Sequence, residues 1–70
     1  MKSDARIVYE NWRGEVRERA IRPRYIFFGE SEWHEGEQWI LEALDLEKKV
    51  NRQFAMTGIL RWRPLGGKGD

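Results

Sequence analysis

The chain has 70 residues, a formal net charge of +1 and no cysteine. That length leaves room for one domain, and the missing thiols exclude disulfides and thiolate metal sites. No run approaches the ~20 apolar residues of a membrane-spanning helix. Residues 1–6 have no apolar stretch of a secretory leader behind them, so the expectation is a cytoplasmic protein with no membrane partner.

A chain this short buries only about 60% of its unfolded surface, and its four Trp, two Tyr and three Phe are the natural source of a core, since each ring can hide roughly 150–250 Å². The charges are segregated. Residues 13–24 carry five arginines against Glu15 and Glu18. Residues 25–47 carry seven acids and no Lys or Arg, and residues 48–64 carry Lys48, Lys49, Arg52, Arg61 and Arg63 with no acid. Such blocks can build a positive surface on a near-neutral protein. The competing account is that folding lays the acidic block beside the basic ones and cancels the field.

In chain order, residues 5–12 are rich in β-formers, with Ile7 and Tyr9 on one face and Val8 and Trp12 on the other. Gly14 supplies the positive φ of a hairpin turn. A second strand over residues 15–22 has few apolar positions and reads as an edge strand or one with a wet face. Pro23 marks a bend or a sheet edge. Tyr25-Ile26-Phe27-Phe28 is a dense apolar run that could continue this strand into a second layer. Residues 29–36 read as a polar loop framed by two glycines.

Residues 37–45 alternate, with Trp39, Leu41 and Ala43 on one face, and predict a half-buried central strand. Residues 46–50 predict one helical turn with Asp45 as its N-cap. Residues 51–56 and 59–63 are two further short strands, interrupted at Thr57-Gly58 and ended by Pro64. The glycine-rich end has nothing to bury and is expected to be disordered. The elements predict an all-β fold, a small five-stranded barrel with at most one short helical turn. Trp39, Leu41 and Phe54 are the expected core.

The order of features resembles the WYL domain family, named for a Trp-Tyr-Leu tripeptide. The matching residues are Ile7 and Tyr9, Gly14, Arg19 with Ile21 and Pro23, Trp39-Ile40-Leu41 with Ala43, Arg52 with Phe54, and Ile59. They span residues 6–62; Ile40 stands where the family has its tyrosine. The resemblance implies an SH3-like or Sm-like barrel of bacterial transcription regulators. It also implies a groove for an anionic ligand, often nucleic acid or a nucleotide, lined by signature residues and arginines. On this reading residues 1–5 are a flexible start, 6–64 a single WYL-like barrel acting without an upstream helix-turn-helix, and 65–70 a disordered tail.

The expected ligand- or nucleic-acid-binding residues are Arg19 and Arg52, at the family's arginine positions, together with Arg61 and Arg63. Guanidinium groups are permanently charged and bind phosphate through two hydrogen bonds. Arg61-Trp62-Arg63 interleaves cations with an aromatic, a pattern suited to phosphate contact and base stacking. The bland alternatives are surface arginines paired with acids, and a Trp62 that covers the core. His34 is the chain's one histidine, with no other nitrogen or sulfur ligand to share a metal. Ser3, Ser31 and Thr57 have no base nearby in sequence. No catalytic residue, metal or cofactor is expected, and the chain reads as a binding module rather than an enzyme. The alternative reading is a protein-interaction module that docks on a partner through exposed strand edges, or self-associates, as a monomer or weak homodimer.

Overall fold

A computed structural model of the chain describes residues 4–31 and 34–65. Five antiparallel strands form one sheet: β1 (Ala5–Glu10), β2 (Val16–Ser31), β3 (His34–Asp45), β4 (Val50–Ala55) and β5 (Ile59–Pro64). A 3-10 turn (Met56–Gly58) joins β4 to β5. The strand order is β4-β3-β2-β1-β5, so the first four strands follow one another as hairpins and β5 returns to the far side of β1.

The β1–β2 hairpin turns on Asn11 and Gly14. The Asn11 side-chain oxygen accepts the amides of Arg13 and Glu15, each at 2.9 Å, and Gly14 takes φ 84°. An asparagine bonded to its own backbone in this way is a turn-former. The expected helical turn at residues 46–50 is a single turn that closes the β3–β4 hairpin, with the Lys49 amide donating to the Asp45 carbonyl four residues back at 2.7 Å. Lys49 adopts φ 61°, which breaks a right-handed run. Asp45 still caps the segment, with Oδ1 accepting the amides of Glu47 and Lys48 at 3.0 Å. Among the described residues the 3-10 element falls at Met56–Gly58.

β2 sits in the middle of the sheet, between β1 and β3. It is therefore not an edge strand, and its polar sequence fits the other alternative, a wet face, with Val16, Arg17 and Glu18 exposed; β3 is not the central strand. β2 also runs straight through Pro23. The last β1 partner on β2 is Ile21, so beyond it one edge of β2 carries no ladder that a missing N–H could break. The ladder shifts at the next residue, between Pro23 and Tyr25.

Residues 29–36 are not a simple loop. Gly29 pairs with Gln38 and Ser31 with His34, and Gly36 takes φ 77° where the register shifts. The result is a two-stranded arm. β1 ends opposite Ile21 and β4 ends opposite Ile40, so among the described residues the segments 23–31 and 34–39 have only each other as strand partners. The molecule is correspondingly long, 40 × 23 × 20 Å.

This geometry decides the core. Ala5, Ile7, Tyr9, Ile21, Leu41, Ala43 and Phe54 are buried together, with Met56 and Ile59 packed against them. Leu41 and Phe54 are core, as expected. Trp39 is not: it is 57% exposed, because it lies on the arm beyond the reach of β4. Its indole meets the Phe28 ring edge-on, with centroids 5.2 Å apart. Ile40 next to it is fully buried, with Phe27 and Ala55 as its cross-strand neighbours.

The sheet is open, and two contacts cross from β1 to β4. The Tyr9 hydroxyl accepts the Ala55 amide at 3.0 Å, linking β1 to β4, and its ring meets Phe54 edge-on at 4.9 Å. Burial raises the Tyr9 pKa above 10.0, with the Ala55 bond opposing it. Ala5, expected in the flexible start, is buried in β1, and the Leu65 amide donates to the Asp4 carbonyl at 2.9 Å. The rest of the expected tail lies outside the described residues.

Candidate functional site: an arginine-lined cleft

A cleft of about 470 Å³ opens beside the β1–β2 turn. Arg17 and Arg19 of β2 and Arg52 of β4 line it, over Tyr9 and Phe54, with Trp12 at its rim. The register explains the convergence. Tyr9 lies opposite Arg17, Ile7 opposite Arg19, and Ala43 opposite Arg52. Cross-strand partners share a face, so these three arginines extend from the face that carries the core.

Their surroundings differ. Arg52 Nε donates to Asp45 Oδ2 at 2.9 Å. Arg17 approaches Glu15 at 3.9 Å. Arg19 has no ion pair among the described residues, so its cation is the uncommitted one. Glu15 and Glu42 also line the cleft, so with Asp45 held against Arg52 its three cations are balanced by three carboxylates, and Arg19 is the cation without a close acid among the described residues. Trp12 is 61% exposed, with the Arg13 guanidinium 5.3 Å from its ring centroid. An exposed indole beside guanidinium groups can stack a flat ring while the cations hold phosphate.

Asp45 anchors this arrangement. It is fully buried at the end of β3. Burial alone would push its pKa up, but the amides of Lys48 and Glu47 and the Arg52 guanidinium together outweigh it, and the pKa lies below the ordinary 3.8. A buried carboxylate with three donors is satisfied. It fixes the Arg52 stem while the guanidinium remains partly exposed, with 39% of the side chain accessible.

The four expected binding residues therefore divide. Arg19 and Arg52, 33 positions apart in sequence, meet at one cleft. Arg61 and Arg63 do not join them. They lie on β5 opposite Val8 and Arg6, exposed and without an ion pair among the described residues. Trp62 lies opposite Ile7 yet keeps 46% of its surface, so it covers the core only in part. Arg22 is held by Asp4 through two bonds of 2.7 and 3.2 Å.

Sequence reasoning missed Arg17, Trp12 and the burial of Asp45. Arg17 was legible, since it shares strand parity with Arg19 two residues away. Trp12 reaches the cleft only because the strand ends at Glu10 and the chain turns. Neither a family model, a curated protein nor a solved structure matches the chain.

Proposed function

We propose that the protein is a WYL-like ligand-binding module, an SH3- or Sm-like barrel, that takes an anionic ligand in bacterial transcription regulation, with single-stranded nucleic acid as the ligand to try first. The barrel reading is supported by the Tyr9–Ala55 bond, which crosses from β1 to β4, and by the short 3-10 turn between the edge strands β4 and β5. The observation that carries the binding reading is the meeting of Arg19 and Arg52 in one cleft with Arg17 and Trp12. Phosphate fits the guanidinium groups, and a base fits the indole face. The absence of tyrosine at position 40 costs this cleft nothing, because Ile40 is buried and does not line it.

The test is a titration with a short single-stranded oligonucleotide at low salt, followed by backbone amide shifts. Shifts are expected at Tyr9, Trp12, Arg17, Arg19 and Arg52. Arg19→Glu is the informative variant, since Arg19 holds no ion pair among the described residues, and it should weaken binding about tenfold or more with the fold intact. Loss of one phosphate contact should lower the salt slope by about 0.7. Arg61→Glu should leave binding unchanged if the cleft is the site. No shift around the cleft would overturn the reading.

A second reading, docking through strand edges, is favoured by the β2–β3 arm, whose edges carry no strand among the described residues and whose Tyr25, Phe28 and Trp39 are exposed.

A further inference from the structure

The arm is the least satisfied part of this fold. From residue 23 on, the β1-side edge of β2 has no strand beside it among the described residues. The segment behind that edge is Tyr25-Ile26-Phe27-Phe28, in which Tyr25, Ile26 and Phe28 are each more than half exposed. A long apolar edge strand is a template for another strand. Folded proteins usually blunt such edges with charges, and none occurs between Arg24 and Glu30.

We infer that the occupant of this edge is a second copy of the chain, with β2 pairing antiparallel to β2 about a twofold axis through Phe27. The charge pattern selects this partner and this register. Arg24 and Glu30 are both exposed and flank the apolar run at equal distances from Phe27. A twofold axis at Phe27 sets Arg24 of each copy opposite Glu30 of the other. It sets Ile26 opposite Phe28, Tyr25 opposite Gly29, and Phe27 opposite itself. Moving the axis to Ile26 places Arg24 against Phe28. Moving it to Phe28 places Ile26 against Glu30. An axis between residues would oppose side chains from different faces, because strand side chains alternate. A parallel pairing in register would bring Arg24 to Arg24 and Glu30 to Glu30.

The twofold contact is isologous and closes on itself, so the exposed edge ends in a dimer rather than a fibre. Tyr25 over Gly29 covers a residue with no side chain of its own, a known way of strengthening strand pairs. The dimer is independent of the anion cleft: none of the cleft residues lies in the arm, and both clefts stay open.

The test is a charge swap read by sedimentation equilibrium. The parent should form a dimer. Arg24→Glu places Glu opposite Glu twice in its own dimer, and Glu30→Arg places Arg opposite Arg twice. Each should raise the dimer dissociation constant about tenfold or more. Mixing the two variants should restore the dimer, because every facing pair in the mixed species is then opposite in charge. The double variant Arg24→Glu/Glu30→Arg should also restore it. Both positions are exposed, and amide spectra of each variant check that the fold is kept. A parent that stays monomeric at high concentration overturns the proposal, as does a mixture no more dimeric than its components.

Discussion

Arg52 Nε donates to Asp45 Oδ2 at 2.9 Å, and through this bond the cleft is joined to the β3–β4 turn. Asp45 is the end of β3, the cap of the turn and the clamp on an arginine of the proposed ligand site at once. Replacing Arg52 would leave a buried carboxylate short of its cationic partner, a strongly destabilising arrangement. Ligand binding is therefore better probed through Arg19.

The pH dependence follows from the same carboxylate. The folded state lowers the Asp45 pKa, so its stabilising contribution is fully present above the unfolded value, about 3.9. It is lost as pH falls through the folded value. Asp45→Asn should be less stable than the parent at neutral pH. The gap between the two melting temperatures should narrow progressively below about pH 4. Thermal unfolding at several pH values measures it, and a gap that stays constant into strong acid would contradict the role given to Asp45.

Phe54 and Trp39 should behave oppositely. Phe54 is 3% exposed and touches Tyr9, so Phe54→Ala should cost about 3–5 kcal/mol and largely unfold a domain of this size. Trp39→Ala removes an indole from a two-stranded arm and should cost about 1 kcal/mol or less. Denaturant titration of both variants distinguishes them. Equal destabilisation would place Trp39 in the core after all.

Gly58 is required for space. A Cβ there would lie 2.6 Å from the Glu10 carbonyl oxygen and 2.8 Å from the Tyr9 ring. Backbone cannot move aside cheaply, so Gly58→Ala should destabilise by about 1–3 kcal/mol. Because the clash pushes on Tyr9, it should also weaken the Tyr9–Ala55 bond, visible as faster exchange of the Ala55 amide. Unchanged stability and exchange would show that the 3-10 turn is not packed this tightly.

Alternation and turn chemistry were enough, from the residues alone, to establish five strands, a hairpin turn at Gly14, the shared face of Ile7 and Tyr9, and the burial of Leu41 and Phe54. These are local properties: a period of two and a residue able to take positive φ are written within a few positions. Asp45 was also legible as a cap, because its bonds reach only two and three residues ahead. Which strand lies in the middle was not legible. Nor was the separation of Arg61 and Arg63 from the cleft that holds Arg19 and Arg52. Trp39 shows why. Its parity matches that of Leu41, yet β4 stops one residue short of it, opposite Ile40. Parity along a strand says which residues share a face. Only the lengths of the neighbouring strands, and the register that aligns them, decide whether that face is covered.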